Sequence, residues 1–183
     1  MISSSNTLIA KEVNDVIKGK GVYLFISQAE NYHSVSLGLF SQLAKKPRQK
    51  GIYISLNKGY SQIKEHLKKN HIKTSNLFFI VSSKNKECGG EDCRCIPGAE
   101  SLTSLSLAIT AAIDTGGFDY VILDSINTLL VYNDQKTVQK FVHYLVGKLK
   151  SFGVAGILIG VEDDSFHSLK PMLTQFCDNC VTF

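Results

Sequence analysis

An acidic and a hydroxyl side chain stand together at the end of an apolar run in the second half of the chain. Tyr120 to Leu123 are four apolar residues in a row, and Asp124 and Ser125 follow them directly. Such a run is typical of a β-strand buried on both faces. In open α/β sheets, ligands bind at the carboxyl ends of the strands. Asp124 and Ser125 are therefore candidate binding residues.

Five cysteines are the other residues that could do chemistry. Cys88, Cys93 and Cys95 lie in the stretch CGGEDCRC, and thiolates on a loop with glycines can bend around zinc, so these three are candidate metal ligands. Their spacing is not a standard zinc finger or ribbon pattern, and oxidation of neighbouring thiols is the alternative. Cys177 and Cys180 form a C-x-x-C pair, which either adds metal ligands or supplies small core residues.

Composition favours an ordinary globular protein. The chain has 183 residues, of which 44% are hydrophobic and 20% charged, and we expect one domain over residues 1–183. No apolar run approaches the roughly 20 residues that a membrane helix needs. The first residues lack the basic and apolar regions of a signal peptide. We therefore expect a soluble, cytoplasmic protein with no membrane partner.

The charges are distributed unevenly along the sequence. Residues 1–90 hold 14 Lys and Arg against 5 Asp and Glu, a net +9, whereas residues 91–183 hold 6 against 11, a net −5. Such a division could orient a nucleic acid, an anionic ligand or an acidic partner toward the basic half. The alternative is that the lysines only solvate helix faces, because no aromatic residues are interleaved among them.

Apolar runs alternate with segments of helical periodicity, which predicts an α/β fold. Residues 8–18 predict a first helix, and the polar segment 82–98 predicts an unusually long loop. A mostly parallel sheet covered by helices on both faces accommodates this order. Besides the strand before Asp124, the predicted strands are Val22 to Ser27, Ile52 to Leu56, Leu77 to Val81, Val154 to Ile159 and Cys180 to Phe183.

Four stretches resemble, in this order, the ATPase core of the RecA superfamily, most of all its KaiC-type branch. The resemblance spans the chain from about residue 20 to the end and implies a three-layer sandwich with a P-loop NTPase type of sheet. It also implies that Asp124 closes the Walker B strand and holds magnesium through water, with Ser125 beside it. The stretches are YLFIS at Tyr23 to Ser27, GIYISL at Gly51 to Leu56, FDYVILDSINTLL at Phe118 to Leu130 and GVAGILIG at Gly153 to Gly160.

The side chains and glycines that bind phosphate in the loop of that family are replaced here. Such a loop needs glycines to wrap the phosphates, a lysine for the terminal phosphates and a hydroxyl for magnesium. No glycine or lysine lies in residues 28–36. Set against the family pattern, Gln28 and His33 replace glycines, Ser34 replaces the lysine and Val35 replaces the hydroxyl residue.

The acidic residues that activate water in KaiC-like enzymes are also replaced. Asn57 and Lys58 follow the second strand, and neither can act as the general base. We therefore expect no catalytic residues and no cofactor, with zinc or ATP and magnesium as the alternatives. Without a nucleotide, Asp124 and Ser125 would cap the segment after the strand.

The predicted function is that of a non-catalytic, pseudo-ATPase domain. The intact scaffold favours a regulatory or assembly module that binds a protein partner, or forms a homo-oligomer, since members of the family associate edge to edge. Two alternatives remain open at this point. One is a sensor that binds a nucleotide or another anion without hydrolysis, and the other is a nucleic-acid-binding RecA paralogue.

Overall fold

The computed structural model describes residues 4–46, 48–82 and 90–183. Seven β-strands occur in these ranges, and their positions follow the apolar runs of the sequence. They are β1 (Val22–Ser27), β2 (Gly51–Ser55), β3 (Leu77–Ser82), β4 (Cys93–Ile96), β5 (Tyr120–Asp124), β6 (Ala155–Val161) and β7 (Asn179–Thr182).

Eight helices occur in the same ranges, and most of them connect consecutive strands. The helices are α1 (Ser4–Gly19), α2 (Tyr32–Ala44), α3 (Tyr60–Lys69), α4 (Leu102–Asp114), α5 (Ile126–Tyr132), α6 (Gln135–Phe152), α7 (Asp164–His167) and α8 (Lys170–Phe176). None of the helices within the described ranges is long and apolar enough to cross a membrane.

The strands form one sheet in the order β4-β3-β2-β5-β6-β1-β7, with parallel pairing between neighbours. One hydrophobic core lies between the sheet and α4, α5, α6 and α8, and a second lies between the sheet and α1, α2 and α3. These layers confirm the predicted α/β sandwich with helices on both faces. The central strand β5 is buried along its whole length, which explains its continuous apolar composition.

Two glycines have clear structural reasons. Gly153 ends α6 with a φ of 64°, a left-handed conformation that glycine adopts without strain. Gly51 begins β2 beneath the Tyr120 ring, where an added Cβ would lie 2.0 Å from a ring carbon of Tyr120. A side chain at residue 51 would therefore displace this ring.

The structure corrects the predicted long loop over residues 82–98. Cys93–Ile96 form the edge strand β4, which pairs in parallel with β3. Asp92 supports this edge, because it accepts hydrogen bonds from the Tyr60 hydroxyl and from Lys64 at 2.9 Å. The short helices α5, α7 and α8 are also additions to the predicted elements.

Candidate functional site

Asp124 lies at the carboxyl end of the central strand, in the middle of the sheet. β5 is paired with β2 on one side and β6 on the other, so that Asp124 stands opposite Ser55 and Ile159. Because side chains alternate along a strand, Asp124 points to the same face as Tyr120 and Ile122, which belong to the second core. The carboxylate is thus directed toward the helices of that face, and only 1% of Asp124 is exposed.

Two tyrosines satisfy this buried carboxylate. The Tyr53 hydroxyl, from β2, donates a hydrogen bond to Asp124 Oδ2 at 2.7 Å. The Tyr32 hydroxyl, from the first residue of α2, donates to Asp124 Oδ1. Tyr53 pairs in register with Ile122, two residues before the end of β5, so its long side chain reaches forward to the carboxylate. Both oxygens therefore have donors within the protein.

Burial has the largest effect on the pKa of Asp124. Removal from water raises the pKa of Asp124, while the tyrosine hydrogen bonds and the charge of Lys58 act in the opposite direction and lower it. Burial and the nearby carboxylate also raise the pKa of Tyr53 and of Tyr32. Both hydroxyls consequently remain protonated at neutral pH and act as donors to the carboxylate.

Tyr32 reaches Asp124 because the connection from β1 to α2 is short. Only residues 28–31 separate the strand from the helix. The backbone N–H groups of Asn31 and Tyr32 both donate to the Gln28 carbonyl at 3.0 Å, which closes the turn on itself. The strand and the helix are thus joined by a tight turn.

His33, Ser34 and Val35, which the sequence comparison set against the phosphate-binding motif, do not point toward Asp124. His33 is exposed, and its ring contacts that of His66 with 4.8 Å between centroids. Ser34 is exposed and donates its hydroxyl to the Asn31 carbonyl at 2.9 Å. Val35 is buried in the second core. None of these three side chains contacts Asp124 in the described part of the chain.

The end of β2 carries a cation beside the carboxylate. Lys58 Nζ lies 6.0 Å from the centroid of the Tyr32 ring. The Lys58 N–H donates to the buried Ser55 hydroxyl at 3.3 Å, and this hydroxyl lies 3.4 Å from Asn57 Oδ1. Of the two residues predicted to replace acidic ones, Lys58 thus brings a positive charge that acts on Asp124, whereas Asn57 contacts Ser55.

The comparisons with known proteins agree with this geometry. A family model described as "ATPase: KaiC" matches residues 39–182. The chain belongs to the KaiC ATPase family. The structure of this KaiC-family domain is similar to that of the KaiC-like protein PH0186 from the hyperthermophilic archaeon Pyrococcus horikoshii OT3. The TM-score is 0.68 at 9% identity, over 89% of this chain and 70% of that chain, which shows a shared fold. No curated protein matches the chain.

The predicted capping role at the end of the KaiC-family strand is not what the structure shows. Asp124 accepts its side-chain hydrogen bonds from tyrosines, and among the described residues it caps no helix, so that expectation is wrong. Ser125 occupies the N-cap position of α5, but its side chain makes no capping hydrogen bond and lies 3.5 Å from the Thr128 hydroxyl. The peptide bond between Asp124 and Ser125 is cis. Their predicted binding of a nucleotide or magnesium stays a prediction.

The proposed zinc loop is only partly described. Cys88 lies outside the described residues. Cys93 and Cys95 lie at alternate positions of β4 and pack against the second core. In the described ranges no three His, Cys, Asp or Glu side chains are grouped as a metal site. A zinc ion bound by Cys88, Cys93 and Cys95 stays a prediction.

The C-terminal cysteines of this KaiC-family chain are core residues. Cys177 is buried, and Cys180 packs partly buried against the first core. Burial raises the pKa of the Cys177 thiol to about 12, so the thiolate that binds metals or attacks disulfides is scarce at neutral pH. The interpretation as small core residues explains this pair.

Sequence reasoning identified Asp124 but missed both tyrosines that bind it. Tyr53 interrupts the apolar strand GIYIS with a hydroxyl, and a buried tyrosine usually needs a partner for that hydroxyl. Tyr32 lies inside the segment compared with the phosphate-binding loop. A search of that segment for side chains able to replace a ligand would have found it.

Proposed function

We propose that this KaiC-family domain does not hydrolyse ATP and acts as a regulatory or assembly module by binding another protein. The observation that carries the proposal is the pair of hydrogen bonds from Tyr32 and Tyr53 to Asp124. In the enzymes that the chain resembles, this carboxylate serves magnesium. Here two hydroxyl groups satisfy it within the protein, so the folded state does not require a cation at this position.

The turn before α2 supports the same proposal. In a phosphate-binding loop, free backbone N–H groups point at the phosphates. In this turn the Asn31 and Tyr32 N–H groups are already bonded to the Gln28 carbonyl. No lysine is present in the turn to meet a terminal phosphate. Two backbone donors of the segment are therefore occupied, and the lysine that would meet a terminal phosphate is absent.

The surface after α5 supports protein binding. Val131 and Tyr132 are 74% and 57% exposed at the end of the helix that follows Asp124. Contiguous apolar surface is typical of protein interfaces, and tyrosine is one of the residues enriched among those that dominate the binding energy. An interface here would include the helix that directly follows Asp124 and Ser125.

Phosphate release from ATP and magnesium tests the loss of hydrolysis. We expect the wild-type protein and Asp124→Asn to release phosphate at the rate of the protein-free solution. Asp114→Asn, which changes an exposed carboxylate at the end of α4, is the matched control. Release that Asp124→Asn abolishes and Asp114→Asn preserves would show an active ATPase.

Light scattering tests the interface. If a second copy of the chain is the partner, Tyr132→Ser should lower the mass in solution to that of one chain. Tyr144→Ser, at an exposed tyrosine of α6, should leave the mass unchanged. A wild-type protein that is monomeric at high concentration would contradict self-association and require a different protein as the partner.

Binding of an anion without hydrolysis is the second candidate function. The Lys58 ammonium beside the Tyr32 ring favours it, because this cation lies at the sheet end where the family binds nucleotides. Thermal denaturation with millimolar ATP and magnesium tests it. A sensor would show a higher midpoint that Lys58→Gln removes, and an unchanged wild-type midpoint would contradict binding.

A further inference from the structure

A cavity of about 170 Å³ lies at the amino-terminal end of the strands, the opposite end of the sheet from Asp124. It is formed by the C-terminal half of α2, the segment before β3 and the start of β5. Its walls are largely apolar side chains, which include Phe40, Leu43 and Leu77. An apolar cavity of about 150 Å³ holds one benzene ring. The space therefore suits a single aromatic ring with small substituents.

The Tyr120 hydroxyl supplies an unused hydrogen-bond donor in this cavity. Tyr120 lines the cavity and is 2% exposed. Among residues 4–46, 48–82 and 90–183 this hydroxyl makes no hydrogen bond, and it is not one of the fully buried polar atoms left without a partner, so it stays accessible from the cavity. Burial, followed by the charge of Asp119, raises the pKa of Tyr120, so the hydroxyl keeps its proton. Gly51 gives the ring room in this position, as described above.

The cavity opens beneath a cationic rim. Lys73 lines the cavity and two larger surface recesses next to it. The recess of about 570 Å³ is also lined by Lys68, and the recess of about 410 Å³ is also lined by Lys45. Glu65, an acidic residue of the rim, is already paired with Lys69 at 2.8 Å. Lys73 is exposed and makes no ion pair within the described ranges. An anionic group at the entrance would meet an excess of positive charge.

We propose that this cavity binds a small aromatic carboxylate. The ring occupies the apolar space beside Phe40 and Leu43. A polar substituent on the ring accepts a hydrogen bond from the Tyr120 hydroxyl, and the carboxylate lies at the entrance near Lys73. Apolar walls, one buried donor and a charged rim together form the usual composition of a small-molecule site.

Titration with 4-hydroxybenzoate, followed by amide shifts in NMR spectra, tests the proposal. Saturable shifts are expected at Leu43, Leu77 and Tyr120. Benzoate, which lacks the second polar group, and 4-hydroxybenzamide, which lacks the charge, are the matched probes. Both should bind more weakly than 4-hydroxybenzoate.

Two conservative variants separate the contributions. Tyr120→Phe should lower the affinity for 4-hydroxybenzoate by about two- to tenfold, which is the usual net contribution of one hydrogen bond. The affinity for benzoate should not change. Lys73→Gln should lower the affinity for 4-hydroxybenzoate and for benzoate by about two- to fivefold. The affinity for the neutral 4-hydroxybenzamide should not change. Tyr144→Phe and Lys140→Gln on α6 are the matched controls and should alter nothing.

Ala44→Leu places extra volume at the wall of the cavity and should reduce binding by more than tenfold. Tyr120→Phe removes a hydroxyl that has no partner in the described residues, so the denaturation midpoint should not fall. If Ala44→Leu fails to fold, Tyr120→Phe still tests the proposal. Absence of saturable shifts at millimolar 4-hydroxybenzoate would overturn the proposal. Binding that only Lys73→Gln weakens would also overturn it, because the rim alone would then attract the anion.

Discussion

Tyr53→Phe tests how far the fold depends on the hydrogen bonds to Asp124. The ring of Tyr53 packs edge-on against Phe40, with 4.6 Å between centroids, and Tyr53 is 2% exposed. Phenylalanine keeps this packing. The substitution therefore removes the hydroxyl that donates to the Asp124 carboxylate at 2.7 Å and that also interacts with the buried Ser55 hydroxyl.

The expected cost follows from the burial of the carboxylate. A hydrogen bond to a charged group contributes about 1.5–3 kcal/mol, and water cannot easily replace the lost donor because Asp124 is 1% exposed. Tyr53→Phe should therefore lower the free energy of unfolding by about 1.5–3 kcal/mol at pH values where Asp124 is ionised. Tyr32→Phe should cost less, about 0.5–1.5 kcal/mol, because Tyr32 is partly exposed and water can reach its place.

Urea unfolding at several pH values measures both the cost and its origin. Burial raises the pKa of Asp124 above its unfolded value, so the wild-type protein gains stability from this group as the pH falls through the folded pKa toward the unfolded one. Loss of the Tyr53 donor raises the folded pKa further. The loss of unfolding free energy caused by Tyr53→Phe should consequently be complete at pH values above the pKa of Asp124 in both folded proteins, wild type and variant. It should shrink as the pH falls through these two pKa values.

Controls separate this effect from a general loss of packing. Tyr144→Phe, at an exposed tyrosine, should leave the unfolding free energy unchanged. In the background Asp124→Asn, Tyr53→Phe should cost less than in the wild type, since the charge is gone. A cost below about 0.5 kcal/mol, or one that is equal at every pH, would refute the assigned role of the tyrosine.

Three further results are expected. Gly153→Ala should lower the unfolding free energy in urea by about 1–2 kcal/mol, because residue 153 has a positive φ while an added Cβ would meet no atom within 4 Å. A cost near zero would contradict this assignment. Cys177 should react with a thiol reagent at neutral pH only as fast as the protein unfolds, because burial raises its pKa to about 12; rapid reaction in the folded state would contradict its burial. The triple variant His33→Gly, Ser34→Lys, Val35→Thr should gain no ATP binding in calorimetry, because Tyr32 still reaches Asp124; saturable heat would show that side chains alone separate this turn from a phosphate-binding loop.

The strands of the buried sheet could be predicted because their composition is unambiguous. The observed β1 has the predicted bounds, Val22–Ser27, and β5 extends the predicted strand by the single residue Asp124. Strands covered by helices on both faces must be apolar throughout, and this signal is visible without any knowledge of their neighbours.

The edge strand β4 could not be predicted in the same way. Its sequence is Cys93, Arg94, Cys95, Ile96, which has neither a long apolar run nor clear alternation. Its backbone pairs with β3, and β3 lies next to it only after the sheet has formed. Contacts that are distant in sequence thus override a weak local preference for strand.

The partners of Asp124 were inaccessible for a related reason. The order of the sheet places β2 beside β5, and the register then sets Tyr53 opposite Ile122 and within reach of the carboxylate. Neither the neighbour nor the register can be read from local sequence. The position of Asp124 at a strand end was predictable, whereas the identity of the groups that bind it required the structure.

Calorimetric titration of the wild-type protein with ATP and magnesium tests the central claim most directly. If Tyr32 and Tyr53 satisfy Asp124 and the turn before α2 cannot receive phosphates, millimolar nucleotide should produce no saturable heat. Saturable heat that Asp124→Asn abolishes, while Asp114→Asn preserves it, would contradict the account and show that this domain still binds the nucleotide of its family.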